Sequence, residues 1–178
     1  MNRRQFAKNS LMASAAISAA SLPGIATFMA PATRSLKRGI MWGSIGIGVT
    51  ILEKFQLAKQ AGFEGIEPMS HLDRAEILKA RDATGLSIPS VCCSTHGKFP
   101  LSHPDPKVRE EGVAVIRVTL EYAKAYGADT ILLVPGRVSD AVSYDDCWNR
   151  SVEEIKKLVS LAEQINVKIA VKIGRAHV

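Results

Sequence analysis

The stretch YAKAYGADTILLVPG, residues 122–136, carries the local pattern that decides the fold. Its alanine-rich first part predicts a helix that ends at Gly127, because glycine adopts the left-handed conformation of a helix C-cap without strain. The branched aliphatic run that follows, at 129–134, predicts a buried strand, which Pro135 and Gly136 bring to an end. The stretch therefore predicts one helix-to-strand step of an α/β chain.

The same step recurs three more times along the chain, as LAKQAGFEGIE at 57–67, ARDATGLSIPSVCC at 80–93 and LAEQINVKIAV at 161–171. Each copy has a residue suited to the left-handed C-cap position after its helix: Gly62, Gly85 and Asn166. We expect a β-α-β-α-β-α-β-α-β order with strands near 39–45, 63–67, 87–93, 129–134 and 167–171. Apolar strands that alternate with helices indicate a parallel sheet covered by helices.

Three sequence signals predict where helices begin. Thr50-x-x-Glu53 and Ser151-x-x-Glu154 have the spacing of capping boxes, in which two side chains each accept a hydrogen bond from the other residue's backbone N–H. Asp105-Pro106 pairs an N-cap residue with a proline at the first helical position. With the C-cap signals, these starts predict four helices between the five strands.

Five parallel strands are compatible with two architectures. An open doubly wound sheet can be built from five strands, whereas a (β/α)₈ barrel needs eight strands and about 250 residues. The segment GSIGIG at 43–48, with Glu67 downstream, partly matches a dinucleotide-binding loop, so an open five-stranded nucleotide-binding domain is one alternative. The other is the first part of a barrel. In both architectures, ligands bind at the carboxyl ends of the strands.

The composition argues against nucleic-acid binding and against cysteine chemistry. The net charge of +6 comes from the six basic residues before Gly39, where no acidic residue occurs, and the remaining basic and acidic residues are equal in number. A neutral folded part gives no electrostatic footprint for nucleic acid, so we expect none as a partner. The three cysteines have the spacing of neither a disulfide framework nor a metal site and are expected to be packing residues: Cys92, Cys93 and Cys147.

The first 32 residues have the layout of a secretory signal. A charged segment at 2–8 precedes an apolar run at 10–30 and the small-residue sequence Ala-Pro-Ala at 30–32. The Arg3-Arg4 pair resembles the twin-arginine export signal, which the export machinery reads as an address. We therefore expect residues 1–32 to be a twin-arginine-type signal peptide and the mature protein to be periplasmic or otherwise exported.

Polar and aromatic residues follow the predicted strands at the edge where α/β proteins bind ligands. Glu67 ends the second strand, so its carboxylate is a candidate base or partner for a ligand hydroxyl. His96 lies in a long loop after the third strand, and its imidazole suits proton transfer or metal binding. Trp42 and Arg137 follow the first and fourth strands and are candidate substrate contacts. His103, in the same long loop, is expected to be a surface histidine.

Four phrases together resemble the sugar phosphate isomerase/epimerase family of xylose isomerase-like TIM barrels: GFEGIEPM at 62–69, STHGKFPLSHPDPKVREEGV at 94–113, AKAYGADTILLVPG at 123–136 and SVEEIKKLVSLAEQINVKIAV at 151–171. The resemblance implies that residues 33–171 are the N-terminal part, with five strands and four helices, of an α/β (β/α)₈ barrel. It also implies a divalent metal, such as Mn²⁺, Mg²⁺ or Zn²⁺, and proton transfer between adjacent carbons of a sugar or hydroxy-ketone. Glu67 and His96 would then face the substrate, with Trp42 as an apolar wall.

The resemblance places the metal ligands from the end of the fifth strand onward: a Glu directly after that strand, then an Asp, a His and a Glu on later strands. The chain instead continues as KIGRAHV at 172–178, and IGRAHV is what the start of a widely used sequencing adapter encodes. We therefore expect residues 172–178 to be a sequencing artefact and this part of the protein to be inactive and to bind no metal. An intact protein with the ligands would be a metal-dependent isomerase or epimerase, and one without them a non-catalytic periplasmic sugar-binding barrel.

Export is tested by replacing the arginine pair. The double variant Arg3→Lys/Arg4→Lys should retain the precursor in the cytoplasm, because the lysine ammonium does not reproduce the planar guanidinium that the arginine signal presents. Cell fractionation with immunoblotting measures the distribution, and Lys8→Arg, which leaves the pair intact, is the matched control. Unaltered export of the double variant would refute the signal assignment.

Overall fold

The computed structural model describes residues 36–48 and 50–172. The predicted signal peptide at 1–32 and the residues 173–178 of the predicted artefact lie outside the described residues. The chain divides into two units between Leu36 and Lys37, and the elements below all belong to the second unit.

Five strands alternate with four helices along the described residues. The strands are β1 (Gly39–Met41), β2 (Gly65–Glu67), β3 (Ser90–Cys92), β4 (Thr130–Leu133) and β5 (Lys168–Val171). The helices are α1 (Ile51–Gln60), α2 (Arg74–Thr84), α3 (Pro106–Tyr126) and α4 (Tyr144–Ile165), and a 3₁₀ turn, Trp42–Ser44, follows β1. The predicted order is confirmed, with shorter strands. β3, for example, begins only after Pro89, which has no N–H to donate to a neighbouring strand.

The helix ends confirm most of the boundary signals. Thr50 and Glu53 form the predicted capping box, and the Asp105 side chain accepts from the backbone N–H of Lys107 at the start of α3. The residues at or just beyond the other ends have positive φ angles, as predicted: Gly62, Gly85, Gly127 and Asn166. Within the described part of the chain, no helix has the combination of length and hydropathy that crossing a membrane requires.

The predicted capping box at Ser151 and Glu154 is wrong. Helix α4 begins earlier, after the N-cap Ser143, whose side chain accepts from the backbone N–H of Asp146. Ser151 and Glu154 therefore lie inside the helix, where both are buried. A serine and a glutamate three residues apart can form an N-terminal cap or can lie buried inside a helix. Their spacing alone does not distinguish these two positions.

The strands pair in chain order, and every pairing is parallel. β1 pairs with β2, while β3, β4 and β5 form a second ladder. Two parallel bridges, Gly65↔Ser87 and Met69↔Cys92, connect the chain around β2 to the chain around β3. This sequential order is that of barrel strands, whereas open doubly wound sheets have the order 2-1-3-4-5 or 3-2-1-4-5-6. The alternative of an open nucleotide-binding domain is therefore wrong.

One face of the strands packs against the helices. Ile66, Val91 and Ile131 are fully buried and belong to the same apolar cluster as Phe55 of α1 and Leu120 of α3. Because side chains alternate along a strand, the neighbouring residues point to the opposite face, which in a barrel is the interior. We call this the inner face, and its members include Glu67, Ser90, Cys92, Leu132 and Ala170.

The incomplete pairing predicts the behaviour of residues 33–178 expressed alone. Among the described strands, β1 and β5 each pair on one side only, and Ala170 and Val171 of β5 are exposed. Unpaired edges and an open apolar face promote aggregation, and a domain folds with a margin of only about 5–15 kcal/mol.

We therefore expect this polypeptide to be insoluble, self-associated or molten, without metal-dependent isomerase activity. Sedimentation velocity and a thermal scan by circular dichroism measure this. A monomer with a sharp cooperative transition would contradict the barrel argument.

Candidate functional site

The candidate residues lie at the carboxyl ends of the strands but occupy three separate places. Glu67 is the last residue of β2, on the inner face. His96 and Arg137 lie in the β3–α3 and β4–α4 loops and line one cavity. Trp42 belongs to the 3₁₀ turn after β1, and its indole packs against the apolar core rather than lining that cavity.

The Glu67 carboxylate is held in place by a serine of the neighbouring strand. The Ser90 hydroxyl donates to Glu67 Oε1 at 2.6 Å. Within the described residues, the second oxygen, Oε2, has no hydrogen-bond partner and is left for a ligand. A half-buried carboxylate with one fixed and one available oxygen can orient a hydroxyl group or accept a proton.

Cys92, also on the inner face, is not a nucleophile. Burial, with a further contribution from the negative charge of Glu67, raises the pKa of the Cys92 thiol to about 11. Burial likewise raises the pKa of Cys93. Only the thiolate is a nucleophile, so both thiols are inert at neutral pH. The predicted packing role is confirmed for these two buried cysteines, whereas Cys147 is partly exposed.

A cavity of about 370 Å³ lies between the β3–α3 and β4–α4 loops. Its lining includes the polar residues His96, Ser102, His103, Arg137 and Ser139. Within the described residues the Arg137 guanidinium has no ion-pair partner, so its positive charge is available to a ligand. The structure thus brings the predicted candidates His96 and Arg137 to one cavity. His103, which we expected to be a surface histidine, lines the same cavity.

Close backbone contacts hold the β3–α3 loop against the β4–α4 loop. The N–H of Leu101 donates to the Pro135 carbonyl at 2.9 Å, and the N–H of Arg137 donates to Ser102 Oγ at 3.2 Å. Gly136 allows this approach, because a Cβ at that position would lie 2.6 Å from Ser102 Oγ and 2.8 Å from Cys147 Sγ. Leu101, buried in a loop rich in polar residues, is the sequence signal that the loop folds back on the core.

A partly buried ion pair fixes the loop from its other end. Arg109 Nε donates to Glu154 Oε1 at 3.0 Å, and Arg109 Nη1 donates to the carbonyl of His103 at 2.8 Å. Burial alone would raise the pKa of Glu154, but hydrogen bonds from Lys157 and Arg109 outweigh it and lower the pKa. Glu154 is therefore ionised at neutral pH and anchors Arg109, which in turn positions His103.

Two further contacts at this edge were not predicted from the sequence. Ser94 Oγ lies 2.7 Å from Nδ1 of His71 and 3.2 Å from Oγ of Ser70, and this cluster joins the loops after β2 and β3. The signal in the sequence was the polar pair Ser70-His71, which follows Pro68 and Met69 after the strand that ends at Glu67. Around Trp42, Lys54 Nζ lies 3.9 Å from the ring centroid, so α1 covers one side of the indole.

The described residues do not fit a metal site. Across residues 36–48 and 50–172, no three His, Cys, Asp or Glu side chains converge on a point that could hold an ion. The position directly after β5, where the resemblance implies a Glu, is Lys172, whose backbone N–H donates to the Leu133 carbonyl at 2.8 Å. No catalytic step is therefore assigned to a metal held by these described residues.

The fold and these sequence features are those of a known family. The family model of the xylose isomerase-like TIM barrel matches residues 55–173. The chain belongs to this family, as the resemblance in the sequence implied.

Individual relatives agree with this assignment. The chain is 29% identical over 154 residues to L-ribulose-5-phosphate 3-epimerase UlaE of Escherichia coli O157:H7, covering 79% of this chain and 54% of that protein. It is similar in fold to 3-keto-D-glucoside 4-epimerase YcjR from E. coli, with a TM-score of 0.66, 21% identity and coverage of 76% of this chain and 55% of the other. D-psicose 3-epimerase gives a TM-score of 0.65 at 21% identity, covering 79% and 53%. The chain spans about half the length of the curated relatives it matches.

Packing at Gly136 is tested by adding a single methyl group. Gly136→Ala in the complete gene product should lower the free energy of unfolding by about 1–3 kcal/mol, because the new Cβ overlaps Ser102 and Cys147. Gly97→Ala is the matched control in the adjoining loop, since a Cβ there meets nothing within 4 Å. Urea denaturation followed by circular dichroism measures both. Equal stabilities of the two variants would show that the loops are not in close contact.

Proposed function

We propose that the intact protein is a sugar or sugar phosphate isomerase or epimerase, and that this chain supplies the first five strands of its barrel. The observation that carries the proposal is the Glu67 carboxylate, fixed by Ser90 on the inner face at the carboxyl end of β2. Carboxyl ends of barrel strands are where such enzymes place their catalytic groups. Relatives that match over most of this chain are named as sugar epimerases, which supports the same reaction class here.

The reaction would remove a proton from the carbon next to a carbonyl and return it to the other face of that carbon or to the adjacent carbon. The available Oε2 of Glu67 would accept that proton or hold a neighbouring hydroxyl in place. His96 and Arg137 would contact the more distant oxygens of the sugar from the loop cavity. Trp42 would form an apolar wall beside the first strand.

Metal dependence and export belong to the same proposal. A divalent ion, Mn²⁺, Mg²⁺ or Zn²⁺, would polarise the sugar carbonyl in the intact protein. Its ligands would come from residues encoded beyond this chain, consistent with coverage of only about half of the relatives. The arginine pair and the small-residue cleavage sequence support twin-arginine export of the folded enzyme.

The experiment follows proton exchange in the complete gene product. Incubation with ketoses and ketose phosphates in D₂O should replace the proton next to the carbonyl with deuterium and produce the epimer or isomer, as measured by ¹H NMR. Glu67→Gln should lower kcat/KM by about 100-fold or more, because the amide cannot take up a proton. Glu64→Gln is the matched control, since Glu64 is exposed and precedes the same strand.

The outcomes separate the two functions that the sequence left open. Exchange that depends on Glu67 supports the enzyme. Ketose binding by calorimetry without any exchange would contradict it and favour the non-catalytic sugar-binding barrel. Equal exchange rates for the Glu67→Gln variant and the parent protein would show that Glu67 is not a catalytic residue.

A further inference from the structure

The two histidines of the loop cavity contact backbone groups of opposite hydrogen-bonding character. Nδ1 of His96 contacts the carbonyl oxygen of Cys93. Nδ1 of His103 instead lies 3.0 Å from the backbone N–H nitrogen of Asp105. A carbonyl oxygen can only accept a hydrogen bond and a backbone N–H can only donate one. Nδ1 therefore carries a proton in His96 and carries none in His103.

These contacts determine the remaining nitrogen of each ring. In a neutral imidazole one nitrogen donates and the other accepts. Nε2 of His96 is therefore an acceptor, and Nε2 of His103 carries a proton and is a donor. Within the described part of the chain neither Nε2 has a hydrogen-bond partner, so both are left for a ligand.

We propose that this cavity binds two neighbouring oxygens of a polyhydroxylated ligand, one through a hydrogen-bond acceptor and the other through a donor. His96 Nε2 accepts a hydrogen bond from a ligand hydroxyl, and His103 Nε2–H donates to the adjacent hydroxyl oxygen. Two neighbouring hydroxyl groups of a sugar, away from its carbonyl, offer such a pair. This inference rests on the proposed function and adds His103 to its substrate site.

The loop that carries His103 is held in place by contacts with α3 and with the β4–α4 loop. Arg109 binds the His103 carbonyl and is itself anchored by the buried Glu154. Ser102, which precedes His103, is 2% exposed and accepts the N–H of Arg137. In the other tautomer, His96 Nδ1 would place an acceptor against the Cys93 carbonyl. The other tautomer of His103 would place a second donor against the N–H of Asp105. Either change would break the hydrogen bond to the backbone.

The tautomers are tested by long-range ¹H–¹⁵N correlation spectra of the histidine-labelled complete gene product in mildly alkaline buffer. We expect the Nδ1–H pattern for His96 and the Nε2–H pattern for His103, assigned with single His→Gln variants. The same tautomer at both positions would overturn the proposal.

Ligand binding is tested on the same sample with D-fructose and D-fructose 6-phosphate as probes. One or both should shift the ring signals of His96 and His103 and leave those of His71, which lies outside the cavity, unchanged. His103→Leu should weaken binding by about threefold to tenfold through loss of one neutral hydrogen bond, whereas His103→Gln keeps an N–H donor and should bind within about twofold of the parent. Unshifted rings, or equal affinity of the Leu variant and the parent, would overturn the proposal.

The proposal and the proposed function fail in different ways. Proton exchange in D₂O with both ring signals unmoved would overturn the polarity inference and leave the enzyme assignment intact. Ring shifts without proton exchange would support this binding site and contradict catalysis.

Discussion

Packing of Ile66, Val91 and Ile131 against the helices determines which side of each strand faces the barrel interior. Side chains alternate along a strand, so burying this apolar row on one face places Glu67, Ser90 and Cys92 on the other. A shift of one residue in any strand would exchange the two faces. The position of the Glu67 carboxylate is therefore a consequence of core packing. Ser90 is placed on the same inner face of the neighbouring strand, so its hydroxyl reaches that carboxylate.

The loop cavity depends on a second layer of contacts that the core makes possible. Helices α3 and α4 lie next to each other, and the ion pair between Arg109 and Glu154 joins them. Arg109 then extends to the His103 carbonyl, so the helix pair positions the loop and the loop positions the imidazole. A catalytic or binding group held in this way has few alternative positions, which is what binding a hydroxyl pair with defined polarity requires.

Local signals explain why much of the fold could be predicted from the sequence. The left-handed C-cap after each helix, as at Gly127, and the apolar strand that follows it are both short-range features. Glu67 was identifiable because a strand end can be located from the same signals. His103 was not, because its place in the cavity depends on Arg109 and Glu154, which are 45 residues apart, and on the contact at Gly136. Glu154 itself was misassigned to a cap, since its spacing from Ser151 does not reveal burial inside a helix.

The strands described here pair in barrel order, and the family assignment implies that three more follow in the intact protein. The nucleotide sequence of the genomic locus beyond codon 171 tests this view most directly. We predict an open reading frame with a Glu codon directly after the fifth strand, three further β/α units, and an Asp, a His and a Glu at the later strand ends. A genomic frame that reads KIGRAHV at 172–178 and then stops would contradict it.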